Sequence, residues 1–421
     1  MTNTSIPSKL QIPETLAAGP GPGNTDARVL AAYANAGLAD HMQADVLRGM
    51  IECKEMLRKI WGTKNTYTFG VAGTGWSGLD CLFSAILPGD TVVTFVNGTF
   101  SGIDALTVRM KAASRADLAA NSLDPKPANV TLVTVPHGKS VTGDVIETAL
   151  AANKPTWAVM AHWETGSGRI NDIRAFSDAC ERHGVMGLVD AVSSLGIEDF
   201  DIDDYPGIVG WASCPQKGVL CLPLTYAPVS FSDRYIAHLK ANGSSSYVNH
   251  PMMEARHWAI HDGKDSAAGT YHRTHSGYAV AAFHEALRIL LQHGRAQKAA
   301  DYAYHEQALR QAVQAMGRTG VRLQWNGKDL VEERAAWLPA AVRGERVLDD
   351  VQFSLWPADA IRSALPAGWE LTERGTFREL RRNGQVWLQR EQVDAGTLRI
   401  RNGVDGYELM IESVAGGVQD P

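Results

Sequence analysis

Three short stretches hold residues whose types and spacing suit chemistry. In "AGTGWSG", Gly73, Gly75 and Gly78 form G-x-G-x-x-G, a pattern that places backbone N–H groups around phosphate at a helix N-terminus. In "VMGLVDAVSS", one acid, Asp190, interrupts an apolar run. It falls where a parallel strand would reach its C-terminal edge, the edge at which open α/β sheets collect ligands. A carboxylate buried there needs a partner. In "WASCPQKGVLCLP", Lys217 stands in an apolar, glycine-flanked turn. Burial there would lower its pKa and leave the amine nucleophilic. Each feature also has a plain structural reading: a tight strand-to-helix turn, an Asp capping the next turn, and a buried ion pair.

A dinucleotide loop should be followed ~20 residues later by an acid that bonds a ribose hydroxyl. The corresponding "TVVTFVNGTF" contains neither Asp nor Glu, and two predicted helices precede the loop. A single phosphate fits better, with the hydroxyls of Thr74 and Ser77 as added donors. One phosphate cradle, one carboxylate and one desolvated lysine are together the parts that pyridoxal 5'-phosphate requires. The lysine forms an imine with the aldehyde. The aspartate keeps the pyridine nitrogen protonated, so that the ring can accept electrons.

The elements that must position these residues alternate. Apolar spacing predicts helices in "DARVLAAYANA" and "ADVLRGMIECKEMLRKIWG", the second ending at Gly62. Strands follow in "NTYTFGVA", "DTVVTFVNG", "NVTLVTVPHG", "TWAVMAHWE" and "VMGLVDAVSS", and "GIVGWASCPQKGVLCLP" holds one or two more. Helices "SGLDCLFSAIL", "FSGIDALTVRMKAAS" and "INDIRAFSDACERHG" lie between them. Such alternation builds an α/β fold with a mainly parallel sheet covered by helices on both faces. "SGYAVAAFHEALRILLQHG" is a long amphipathic helix leading to a second domain. There "AAWLPAAV", "VQFSLW" and "TLRIRNG" read as strands and "PADAIRSAL" as a helix opened by Pro357. The charged stretch "ELTERGTFRELRRNGQVWLQREQ" has no clear period; its "FRELRR" reads as a solvated face.

A chain of 421 residues, 45% hydrophobic, buries a large core in two or three domains. A net charge of -6 without a basic run argues against nucleic acid as the main partner. Five cysteines without a C-x-x-C pair read as thiols of a reducing compartment. With no signal-peptide core at the start and no apolar run of ~18 residues, a cytoplasmic protein is expected. His257 and His261, at i and i+4 in "HWAIH", could share a helix face, but no third ligand is evident and no metal is expected.

With these residues in hand, the chain resembles the class V aminotransferases, and within them the alanine/serine–glyoxylate aminotransferase group. The resemblance runs from about Gly19 to Gly294 and returns near Leu398. It is carried by "GPGPGNTDARVLAA", "GVAGTGWSGLDCLF", "PGDTVVTFVNGTFSG", "HWETGSGRIND", "GLVDAVSSLG", "SCPQKGV" and "TYHRTHSGYAVAAFHEALRIL", in that order. It implies a fold-type I pyridoxal-phosphate-dependent transferase. Residues 1–25 would be an N-terminal arm. Residues 26–283 would be the large cofactor-binding domain with a mainly parallel seven-stranded sheet. Residues 284–421 would be a smaller C-terminal α/β domain.

The resemblance also assigns roles. Lys217 would carry the cofactor, and Asp190 would pair with the pyridine nitrogen. Val192 and Phe100 would pack on the two ring faces, and Thr165 would bond the ring hydroxyl side. Thr74, Gly75, Trp76 and Gln216 would surround the phosphate. Tyr271 and Thr274 would reach the phosphate of a neighbouring subunit, which implies a homodimer. Arg399 would grip the substrate carboxylate, a task suited to a bidentate guanidinium. The expected reaction moves an amino group from a small amino acid to a small 2-oxo acid, glyoxylate or pyruvate, by a ping-pong route with Lys217 as general base. The alternative is a lyase or decarboxylase on the same fold. A cysteine desulfurase is disfavoured, because no cysteine follows Cys221. Trp76, Trp163, Cys214, Pro215 and Arg401 depart from the family pattern, and Val342 to Thr397 matches it poorly.

Overall fold

Local sequence sets the helix ends. The helix over Ala44–Trp61 buries Val46, Met50, Cys53, Leu57 and Ile60 along one face, and it stops at Gly62, whose φ of 58° only glycine adopts cheaply. The helix over Ile173–His183 is opened by Asp172, which accepts from the Ala175 N–H, and closed by Gly184 at φ 69°. The computed structural model describes residues 21–35, 42–136, 138–220, 222, 225–315, 368–374, 377–394, 397–402 and 408–412. The principal elements up to residue 293 are α1 (Ala27–Asn35), α2 (Ala44–Trp61), β1 (Tyr67–Gly73), α3 (Gly75–Phe83), β2 (Val92–Val96), α4 (Thr99–Ala112), β3 (Val130–Thr134), β4 (Trp157–Ala161), α5 (Ile173–His183), β5 (Met186–Asp190), β6 (Ile208–Ala212), β7 (Thr225–Phe231) and α6 (Gly277–His293).

The seven strands form one sheet in the order β1-β7-β6-β5-β4-β2-β3. β2 pairs in parallel with β3 and β4, and β4 with β5. β7 runs antiparallel to β1 and β6. β4, β5, β6 and β7 are buried at every residue. That is why their sequences read as continuous apolar runs rather than as alternation. β7, "TYAPVSF", lies beyond the stretch predicted to hold a second strand, and Pro228 disguises it. A proline cannot donate to the ladder, yet its carbonyl accepts from Ser213 N–H at 2.8 Å.

Cα packing divides the chain into two compact units. The first comprises Met1–Ala85, Ala191–Asp203 and Gly210–Arg295. Its aromatic core groups Trp61, Phe200 and Trp211, with ring centroids 5.9 to 6.5 Å apart. Burial of a large apolar side chain contributes about 1.5–3 kcal/mol. The second comprises Ile86–Asp190, Asp204–Val209 and Ala296–Pro421. In it, Phe95 and Phe176 meet edge to face at 6.0 Å beneath α5.

The charged stretch near the C-terminus is strand, not a bare solvated face. β8 (Trp369–Arg374), β9 (Phe377–Arg382), β10 (Gln385–Asp394), β11 (Thr397–Asn402) and β12 (Glu408–Glu412) form an antiparallel meander. β9 and β10 are joined by Asn383-Gly384, with φ of 47° and 81°, the backbone that an Asn-Gly hairpin turn supplies. The predicted strands in "AAWLPAAV" and "VQFSLW" and the helix in "PADAIRSAL" lie outside the described residues. The helix carrying His257 ends at that residue, and His261 is on a short strand, so the two do not share a helix face. Among the described residues no cluster of His, Cys, Asp or Glu suits a metal ion, and no helix is long and apolar enough to cross a membrane.

Candidate active site

The first unit gathers the loop and the lysine. β1 ends at Gly73, with φ 128°, where a Cβ would collide with the Ser77 side chain. Thr74 caps α3 through its backbone: its carbonyl accepts from Ser77 N–H at 2.9 Å. The N–H groups of Gly75 and Trp76 come first in the helix and have no carbonyl one turn earlier. The positive end of the helix therefore opens there. Helix α3 packs tightly at Gly75, where a Cβ would lie 2.9 Å from Cys214 Cβ, 3.1 Å from Val192 Cγ2 and 3.8 Å from Gln216 Nε2. The structure thus brings Gly75, next to Thr74 in the chain, close to Val192 and Gln216. Gln216 Oε1 is buried without a hydrogen-bond partner among the described residues. Trp76 points outward and is 39% exposed.

Lys217 is half-buried, and its Nζ donates to Ser193 Oγ at 2.8 Å. Two glycines make that contact possible. A Cβ on Gly218 would lie 2.0 Å from the Leu195 carbonyl oxygen, and one on Gly196, at φ 76°, would lie 2.7 Å from that of Gly218. The turn after Asp190 and the turn carrying Lys217 are further latched by Ala191 N–H to Ala212 O at 2.7 Å and by Ser213 Oγ to Ala191 O at 2.9 Å. Gly21, at φ 119°, passes over the lysine stem; a Cβ there would sit 2.9 Å from Lys217 Cγ.

The second unit carries Asp190, Phe100 and Thr165. Asp190 ends β5 and is 5% exposed. Its backbone carbonyl accepts from His162 N–H at 2.8 Å. Burial pushes the His162 imidazole down to about 3, so that ring is neutral at ordinary pH. Phe100 lies in the first turn of α4, and Glu164 holds that turn in place. The Glu164 carboxylate accepts from Phe100 N–H at 3.2 Å, Ser101 N–H at 2.8 Å, Ser101 Oγ at 2.7 Å and Gly166 N–H at 2.8 Å. An anion at a helix N-terminus is favourable, and these four donors offset its burial. Thr165 follows Glu164 in the turn and is half-buried.

Glu164, Ser193, Gly21 and Asp104 were not among the residues singled out from sequence. Asp104 had a readable signal. It occupies an apolar position on α4, whose buried residues are Ser101, Asp104, Ala105, Val108, Arg109 and Ala112.

Tyr271 and Thr274 lie on another loop of the first unit. Both are exposed, with Tyr271 Oη 3.4 Å from Thr274 Oγ1. Between them in sequence, Arg273 forms an ion pair with the fully buried Glu254. Arg399 is on β11, opposite Glu391 of β10 and Met410 of β12.

Comparison with known proteins adds the lineage. Residues 292–415 match a family model described as "Protein of unknown function (DUF3261)". Alanine–glyoxylate aminotransferase of Mus musculus is 28% identical over 293 residues, 69% of this chain and 66% of that protein. The (S)-ureidoglycine–glyoxylate transaminase of Bacillus subtilis is 24% identical over 416 residues, 93% of this chain and 92% of that protein. The crystal structure of alanine–glyoxylate aminotransferase from Nostoc sp. superposes with a TM-score of 0.66 at 26% identity, covering 75% of this chain and 78% of that one. The alignment with the mouse relative spans just under two thirds of that protein's length. The chain is a homologue of glyoxylate aminotransferases and has the fold-type I architecture of class V pyridoxal-phosphate aminotransferases.

Proposed function

We propose that the chain is a pyridoxal 5'-phosphate-dependent aminotransferase that transfers an amino group from a small amino acid to a small 2-oxo acid, glyoxylate or pyruvate. The observation that carries this reading is the grouping, within one compact unit, of the α3 N-terminus, Gln216 and Lys217. An open helix end for a phosphate, the Gln216 amide nitrogen facing that end as a donor and a positioned primary amine fit this cofactor. The names of the relatives support the same class of reaction.

When bound, the cofactor supplies an electron sink conjugated to the substrate Cα. The chain supplies the rest. The N–H groups of Gly75 and Trp76, with Thr74 and Gln216, bind the phosphate. Phe100 and Val192 confine the ring and exclude water. Thr165 bonds the ring hydroxyl side. Asp190 holds a proton at the ring nitrogen. Lys217 Nζ would hold the cofactor aldehyde at rest and, once a substrate amine displaces it, would serve as the general base and acid that moves the Cα proton. Ser193 Oγ orients that amine. Arg399 binds the substrate carboxylate, a role that rests on the resemblance alone, since it lies within residues 292–415, which match the separate family model.

A homodimer completes the reading, with Tyr271 and Thr274 reaching the neighbouring copy's phosphate. Their exposure in the single chain supports this role. Residues 26–283 then form the cofactor-binding domain and 284–421 the smaller one. A cytoplasmic location accords with buried thiols at Cys53, Cys81, Cys180 and Cys214.

An initial-rate study with a panel of amino acids against glyoxylate tests this function. Parallel double-reciprocal lines, with glycine formed in step with the donor's oxo acid, are expected. Intersecting lines, or ammonia or carbon dioxide released without glycine, would contradict it.

A further inference from the structure

Helix α4 turns an acid into its own core. Asp104 is 1% exposed, and among the described residues no N–H or O–H group donates to either of its carboxyl oxygens. The group that meets it is another acid, the carboxyl of Asp190. Two ionised carboxylates in such contact repel strongly, and a single shared proton removes the repulsion. Burial, then the charges of Asp190 and Glu164, push the Asp104 carboxyl well above the usual range. Other described groups around the pair are already engaged or uncharged. Glu164 already accepts from four donors. His162 is neutral. Arg109, on the same helix face, is engaged by Asp124.

We propose that Asp104 is a positioning residue: as a neutral carboxylic acid it donates a hydrogen bond to Asp190, fixing that carboxylate's orientation and weakening it as a base toward the cofactor's ring nitrogen. This rests on the reading of Asp190 given above. The proton balance is simple. One proton stays on Asp104, Asp190 keeps its negative charge, and no proton leaves for solvent when Asp190 meets the protonated ring nitrogen. Asp104 touches neither substrate nor cofactor; it acts through Asp190.

Two variants separate the possibilities. Asp104→Asn keeps a neutral donor of the same shape, and Asp104→Ala removes it. In the protein without cofactor, a protonated-carboxyl infrared band is expected at pH 7 in the wild type and in neither variant. With cofactor labelled at the ring nitrogen, the midpoint of its nitrogen-15 pH titration should rise by about one unit in Asp104→Ala, because Asp190 becomes the stronger partner of the protonated ring. Asp104→Asn should restore the wild-type midpoint, which a merely structural residue would not do. Absence of the infrared band, or an unmoved midpoint in Asp104→Ala, would overturn the proposal. Failure of the chain to take up cofactor would instead overturn the reading of Asp190, and the Asp190 role assigned here with it, while the infrared band would still report whether Asp104 holds the proton.

Discussion

Replacing Gly75 by alanine is a one-methyl test of how α3 is held. The new Cβ would lie 2.9 Å from Cys214 Cβ and 3.1 Å from Val192 Cγ2. Carbon atoms rest about 3.5–4.0 Å apart, so the helix end must move by roughly 0.5 Å or more. Overpacking of this kind costs about 1–3 kcal/mol. The gain in helix propensity of alanine over glycine returns up to about 1 kcal/mol. Net stability therefore falls by about 0–3 kcal/mol. Cofactor binding should suffer more. Loss of one charge-assisted N–H contact to a phosphate is worth about 1.5–3 kcal/mol, or roughly 10- to 150-fold in affinity.

The assay is titration of the cofactor-free protein with pyridoxal phosphate, followed by absorbance, for wild type, Gly75→Ala, Cys214→Gly and the double variant. Cys214→Gly removes the 2.9 Å partner. It should recover at least about 1 kcal/mol as a coupling energy, whatever its own cost. Unchanged affinity in Gly75→Ala, or strict additivity in the double variant, would refute the packing argument.

Other perturbations have equally definite outcomes. Glu164→Gln keeps the shape but discards the charge that four donors serve; urea unfolding should show a loss of about 1–3 kcal/mol. Gly21→Ala adds a Cβ 2.9 Å from Lys217 Cγ at a φ of 119°, and it should slow cofactor uptake more than it lowers thermal stability. The Arg58 guanidinium first, and Lys54 also, hold the Asp265 carboxyl down at about 2. Its contribution is therefore present above the ordinary carboxylate value of ~4 and is lost as pH falls through the folded value. Melting temperatures of wild type and Asp265→Asn should differ at pH 7 and converge in acid, between about 4 and about 2.

The sequence was most legible where one residue type does one job. Gly62 and Gly184 end helices as read, and Asp190 falls at a strand end because no other acid interrupts that apolar run. Gly75, Val192 and Gln216, all named from the resemblance, lie close together. What stayed hidden depended on contacts far apart in sequence. Glu164 matters because Phe100 and Ser101, more than 60 residues earlier, offer it their N–H groups. β7 was masked by Pro228, a residue that ordinarily argues against a central strand. The C-terminal meander was obscured by arginines and glutamates on strands, although its Asn383-Gly384 turn was a readable hairpin signal.

The central claim is that Lys217, on its turn beside Ser193, carries a cofactor that cycles between two amino states. The most direct measurement is the visible spectrum of the protein loaded with pyridoxal phosphate, followed on adding an amino acid and then glyoxylate, beside Lys217→Ala. The account predicts an absorption band that the amino acid bleaches, that glyoxylate restores, and that does not cycle this way in Lys217→Ala. No band after adding the cofactor, or the same cycle undiminished in Lys217→Ala, would contradict it.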